Sequence, residues 1–321
     1  RIMEYYENEN MPQLGDCRQG REQRKYIRKD FSRIGWGLLA MLLGSQTLGA
    51  VLVAVPAYFW PAFGQSHWFT WCMLLVPLYV VGLPLFLLVT RKLPAQPAQQ
   101  QYRISPKTWL MLLVVCFGAM YFFNYISVMC NAFFSFLKGS SVENPLDSMS
   151  NLPVFWTIVF VGIVGPIMEE LVFRGLVIAK LRHYGEGACV FTSALTFALF
   201  HGNLSQMLYA FALGAIFAFI TVKTGRLRYS MALHISVNVM GMVVVPNLVE
   251  FSGITAMAIV LLIFAAIGFG FFWLMDRRRE IRFAPGQVPM LPGPVELILG
   301  NPGMICYTLF CAILVLAIIL V

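Results

Sequence analysis

Nine long apolar runs are what most restrict this chain, most of them near the ~20 residues needed to cross a ~30 Å hydrocarbon core. They are Gly35–Trp60, His67–Thr90, Thr108–Phe136, Pro153–Ala179, Ala188–His201, Leu204–Val222, Tyr229–Val245, Gly253–Met275 and Met304–Val321. A lipid-embedded backbone must satisfy its own hydrogen bonds, so the runs are read as helices of an all-α, polytopic membrane bundle. Composition agrees, with 59% hydrophobic and 12% charged residues and a mean hydropathy of +0.74. The fifth run is short and only Gly202 and Asn203 separate it from the sixth, which predicts a tight helical hairpin that stops short of the far surface.

The 23 lysines and arginines test the span count independently. All but Lys138 and Arg174 fall before the first run or after the second, fourth, sixth and eighth, hence on one side of the membrane. Basic loops stay cytoplasmic, so the amino terminus is expected there and the carboxyl terminus opposite, in a multi-pass protein of the cell membrane. The net charge of +8 is then a matter of topology and of the lipid bilayer's anionic headgroups, and no nucleic-acid partner is implied. No signal peptide is read, the first run is expected to do the targeting, and Met3 is read as a native start because Arg1 is not an initiator residue. The seven cysteines lack any C-x-x-C spacing and read as small packing residues.

Four stretches follow: a basic tail over 1–34, three helices over 35–152, a four-helix core over 153–245, and two further helices over 246–321 joined by a Pro/Gly-rich surface linker. Of fifteen acidic residues, only Glu169 and Glu170 sit well inside a run. A charge at mid-bilayer costs roughly 2.5–3.5 kcal/mol, so such residues are paired or functional. Helical spacing places Glu170 and Arg174 on one face as an ion pair and leaves Glu169 for a polar cavity. Pro166 is expected to kink the helix nearby. Two further polar clusters lie in later runs: Phe197 with His201, and His234 with Asn238 one turn along.

Glu-Glu-x-x-x-Arg at 169–174, Phe-x-x-x-His at 197–201 and His-x-x-x-Asn at 234–238 occur in this order, each in its own run. Together they resemble the motifs of the CAAX prenyl protease and bacteriocin-processing family of intramembrane proteases (CPBP, or Abi), over about Pro153 to Val245. The resemblance implies that Glu169 activates water together with His201, that His234 and Asn238 bind the developing oxyanion, and that Glu170 and Arg174 are structural, with Phe197 in support. Its substrates would be membrane-associated peptides or proteins, and processing of bacterial peptides is the favoured type. Glu169, His201 and His234 could instead supply a two-His-one-carboxylate zinc set. A metal-independent glutamate mechanism is favoured, because Glu170 paired with Arg174 would be a poor replacement base. A proton-coupled transporter and a partner-binding scaffold using the tail Arg18–Arg33 are the rival readings. Counted at ~1.5 Å per residue from the basic ends, Glu169 lies about 16 Å deep, Asn238 about 15 Å and His201 about 20 Å. That predicts a site near mid-membrane, open to the cytoplasm or sideways to lipid.

Overall fold

The computed structural model describes residues 17–98, 101–145, 147 and 153–320. Residues 1–16 of the basic tail, including Met3, and Val321 at the end of the ninth run lie outside these residues. Eight helices are long and apolar enough to cross a membrane: α1 (Gly20–Phe59), α2 (His67–Thr90), α3 (Pro106–Lys138), α4 (Val154–Tyr184), α6 (Leu204–Thr224), α7 (Leu227–Phe251), α8 (Gly253–Arg277) and α10 (Pro302–Leu320). The shorter apolar α5 (Glu186–Phe200) corresponds to the fifth run and has only 15 residues. A further short helix, α9 (Pro294–Leu299), precedes α10. The described residues contain no strand, only a lone bridge between Gly185 and Pro285.

Local chemistry sets the helix starts. Ser105 caps α3 by accepting from Thr108 N (3.1 Å), with Pro106 following where no N–H is needed. Asn203 caps α6 through Gln206 N (2.9 Å), which lets the α5–α6 turn be as tight as the sequence predicts. Prolines inside the spans are absorbed without breaking them. Each of Pro84, Pro166 and Pro246 comes two residues after a π-helical segment: Pro77–Gly82, Ile158–Val164 and Met240–Val244. A proline crowds the carbonyl four residues back and lacks a donor, and the wider π turn relieves both. A fourth such segment, Leu171–Val177, carries Arg174 and has no proline to explain it.

The helices pack as neighbouring pairs: α5 on α6, α3 on both α6 and α8, α7 on α4, and α1 on α2 and α10. Gly35 and Gly303 let α1 and α10 cross backbone to backbone, since a Cβ on either would collide with the opposing chain. Fully buried Phe31, Ile34 and Leu38 of α1 join Phe173, Val177, Ile178, Met304 and Tyr307 in the main core.

The basic loops meet at one end of the bundle. Gln96 N donates to Ala179 O and Tyr102 N to Thr224 O (both 2.8 Å), Lys180 Nζ reaches Thr90 O (3.0 Å), and Lys223 pairs with Glu186. The Pro/Gly-rich segment after α8 is mostly exposed, as a surface linker would be, and is pinned as a strap across this end. Ala284 N donates to Glu186 Oε2 (2.8 Å), Val288 N to His183 O (2.9 Å), and Gln23 and Arg24 of α1 donate to Pro289 O and Pro292 O. Its α9 sinks Leu297 and Ile298 into the main core.

Candidate active site

Three motifs from three helices converge on one cavity of about 330 Å³, whose lining includes Glu169, Phe197, His201, His234 and Asn238. The two glutamates separate as helix geometry predicts. The Glu169 side chain is 23% exposed and faces the cavity, whereas that of Glu170 is 0% exposed. Arg174 Nη1 lies 3.0 Å from Glu170 Oε1, so the ion pair read from the i, i+4 spacing is present. A buried pair of this kind is tolerated only when its remaining polar atoms find support. Arg174 Nη2 donates to Gly214 O (3.3 Å), and the guanidinium stands 4.3 Å above the Phe197 ring and 5.5 Å from that of Phe217. This gives the Phe-x-x-x-His spacing a physical content. Phe197 holds Arg174 on its face and meets both histidine rings edge-on, His201 at 4.9 Å and His234 at 5.6 Å.

Hydrogen bonds fix which ring nitrogen of each histidine is available. His201 Nδ1 lies 2.9 Å from Phe197 O, and a carbonyl can only accept, so Nδ1 carries the proton and Nε2 keeps a lone pair. The turn around it is held by Asn203 Nδ2, which donates to His201 O (2.9 Å). His234 Nδ1 lies 3.0 Å from Glu170 Oε1, and its Nε2 is 3.5 Å from Glu169 Oε2. Glu170 therefore touches both Arg174 and His234, so it orients the motif histidine as well as pairing with the arginine. Asn238 Nδ2 donates to Val161 O at 3.2 Å, which uses one of its two amide protons and leaves the other.

The zinc set considered from the sequence does not close in this arrangement. Among the described residues, no three His, Cys, Asp or Glu side chains are placed to hold a metal ion. Glu169, His201 and His234 share the cavity without forming such a cluster.

Several lining residues escaped the motif reading. Leu74, Leu75, Leu78 and Tyr79 come from α2, and Met120, Tyr121 and Asn124 from α3, so the cavity is not built from the four core helices alone. Gln206 and Tyr209 join from α6. Gly214 and Phe217, which support Arg174, also lie outside the motifs. None of these has a spacing signal, being single polar or aromatic residues in apolar helices.

The cavity lies away from the basic end. Its lining residues at 206–213 of α6, 234–242 of α7 and 160–169 of α4 are farther from that end than buried Phe217 and Ile220, Leu233, and Val172 and Val177 of the same helices. Pro145, in the loop between α3 and α4 at the opposite end, is also in the wall. Of the two openings expected from the sequence, the one to the basic side meets packed side chains, whereas the sideways one to lipid is not contradicted.

Comparison with known proteins agrees with the motif reading. Residues 151–240 match the profile of the Rce1-like family, described as type II CAAX prenyl endopeptidase Rce1-like. The chain is 26% identical over 166 residues to YdiL of Bacillus subtilis (strain 168), described as a candidate membrane peptidase; the match covers 50% of this chain and 66% of that protein. It is 33% identical over 106 residues to the membrane-embedded CAAX protease MroQ of Staphylococcus aureus (strain USA300), covering 31% of this chain and 41% of that protein. The chain thus spans less than two thirds of either relative. No solved structure matches it. Residues 151–240, which hold all three motifs, are thus similar to the Rce1-like CAAX prenyl endopeptidase family.

Proposed function

We propose that this protein is an intramembrane endopeptidase that hydrolyses a peptide bond in a membrane-associated peptide or protein, using water activated by Glu169 and His201. The observation that carries the reading is the pairing of a cavity-facing carboxylate with two histidines and an amide, while the neighbouring carboxylate is buried against an arginine. Hydrolysis needs a base for water and donors where the carbonyl oxygen gains charge. Glu169, the carboxylate that faces the cavity, with Oε2 3.5 Å from His234 Nε2, takes the water proton. The bare Nε2 of His201 accepts the second hydrogen bond and aims the water.

His234 and the spare amide proton of Asn238 face the oxyanion. For His234 to donate from Nε2 while Nδ1 also donates to Glu170, the ring must carry both protons. The Glu170 carboxylate, 3.0 Å from Nδ1 and itself held by Arg174, orients the ring so that Nε2 faces Glu169. On collapse of the tetrahedral intermediate, Glu169 returns its proton to the leaving amine. The substrates of the relatives named above suggest a CAAX-type or peptide-precursor chain.

The test is cleavage of a membrane-tethered peptide library by purified protein in nanodiscs, comparing wild type with Glu169→Ala and Glu170→Ala, with and without a chelator. The expected result is activity lost with Glu169→Ala and indifferent to chelator. Loss with chelator and recovery with zinc would move Glu169 and the two histidines to a ligand role, and a folded wild type that cleaves nothing would sink the reading.

A further inference from the structure

We infer that the substrate reaches the site from the membrane face opposite the basic loops, which by the positive-inside rule is the extracytoplasmic face, along a groove with one polar and one apolar wall. The inference deepens the peptidase reading and rests on it for the occupant, an extended peptide segment, but the direction of access stands on geometry alone.

Three observations carry it. The first is the floor. Between the cavity and the basic end lie Cys116, Val177, Phe217, Ile220 and Leu233, each no more than 3% exposed, together with buried Glu170 and Arg174. Interiors packed in this way admit no peptide and little water.

The second is the polar wall. Tyr121, Asn124, Ser127 and Asn131 share one stripe of α3, which starts in the cavity and runs away from the basic end. The stripe meets the first turns of α6, where Asn131 Nδ2 donates to Ser205 Oγ (2.9 Å) and Gln206 and Tyr209 line the cavity. Tyr121 Oη, Ser127 Oγ and Asn131 Oδ1 are buried and have no hydrogen-bond partner. An unmet buried polar group is costly, and Tyr121 Oη, on the one of these three residues that lines the cavity, is placed to gain a partner when the cavity is filled. Water and peptide backbone both meet that need.

The third is the facing wall. Leu74, Leu75 and Leu78 of α2 and Phe160 of α4 are apolar, and Phe160 stacks with Trp156 (5.6 Å) and packs against Trp71 (5.0 Å). A strand-like peptide sends side chains to one side of the groove and presents its amides to the other. The substrate class is therefore a hydrophobic segment that lies, before cleavage, at the outer surface of the membrane.

Accessibility labelling tests this without relying on turnover. Cys17, Cys72, Cys130 and Cys306 are replaced by serine, and single cysteines are introduced as Asn124→Cys, Gln206→Cys and, in the basic loop after α2, Lys92→Cys. A membrane-impermeant thiol reagent is applied from each side of oriented proteoliposomes, and gel filtration verifies folding of each variant. Asn124→Cys and Gln206→Cys should react at least about tenfold faster from the side that leaves Lys92→Cys unlabelled. Labelling from the Lys92→Cys side overturns the inference, and so does protection from both sides, which would leave lateral access through lipid. If labelling supports the inference while no tethered peptide is cleaved from either face, the hydrolytic reading fails and the direction of access stands.

Discussion

Removing Arg174 should cost more than removing any other polar side chain of the bundle. Arg174→Ala takes away the 3.0 Å contact with Glu170, the bond to Gly214 O and the stacking on Phe197, and leaves the buried Glu170 carboxylate with only His234 and Ser230 beside it. Breaking one partner of a buried pair costs roughly 3–5 kcal/mol, within which the desolvated cation–π contact accounts for about 2 kcal/mol. Since ~1.4 kcal/mol is a factor of ten and domains rest on about 5–15 kcal/mol, the variant should unfold about a thousandfold more readily. Glu170→Gln with Arg174→Met removes both charges and keeps the volume, and it should recover most of that loss because the desolvation cost disappears with the charges. The assay is reversible unfolding in mixed micelles with rising SDS fraction, followed by helical ellipticity. Arg174→Ala within about 0.5 kcal/mol of wild type would refute the reasoning, as would a double variant as unstable as the two singles added together.

Other substitutions probe separate links. Asn238→Ala should lower kcat by roughly 10²–10³ with KM nearly unchanged, as for a lost oxyanion donor; a change in KM alone would remove it from that role. Gly214→Ala would bring a Cβ to 3.1 Å from Ala194 Cα and 3.3 Å from Arg174 Nη2, so a loss of about 1–3 kcal/mol is expected in the same unfolding assay. An unchanged midpoint would mean that α5 and α6 separate freely. Glu186→Gln weakens the hold of α5 on Lys223 and on the strap at Ala284. At this half-exposed position the cost should stay below about 1 kcal/mol, and trypsin sites near Arg282 should open measurably sooner.

Much of the bundle was legible before any coordinates, for a physical reason. Hydropathy and loop charge are sums over many residues, so the runs, the shortness of the fifth and the gathering of basic loops at one end survive local error. The pairing of Glu170 with Arg174 was legible because helix geometry alone brings residues four apart together. Glu170's second contact, with His234, could not be read, since nothing in a sequence sets the rotation of α4 against α7. The contributions of Tyr79, Tyr121 and Asn124 were hidden likewise, because each is one residue on a helix without a motif. The side on which the cavity opens depends on where Phe217, Ile220 and Leu233 pack, and depth counted along separate helices carries no such information. That the surface linker is pinned as a strap could not be read, because proline and glycine signal irregular backbone and say nothing about whether it is held by distant carbonyls.

The crossing of α1 and α10 at Gly35 and Gly303 bears on how the protein is made. Helices enter the bilayer in the order of synthesis, and at ~5–20 residues per second the partner of the first helix emerges on the order of tens of seconds after it. During that interval the α1 face that carries Gly35 has only lipid, or some other chain, to lie against. The contact at Gly35 therefore forms only once α10 has been made, and a ribosome that stalls before Pro302 leaves that face of α1 uncovered although α2 already packs on another.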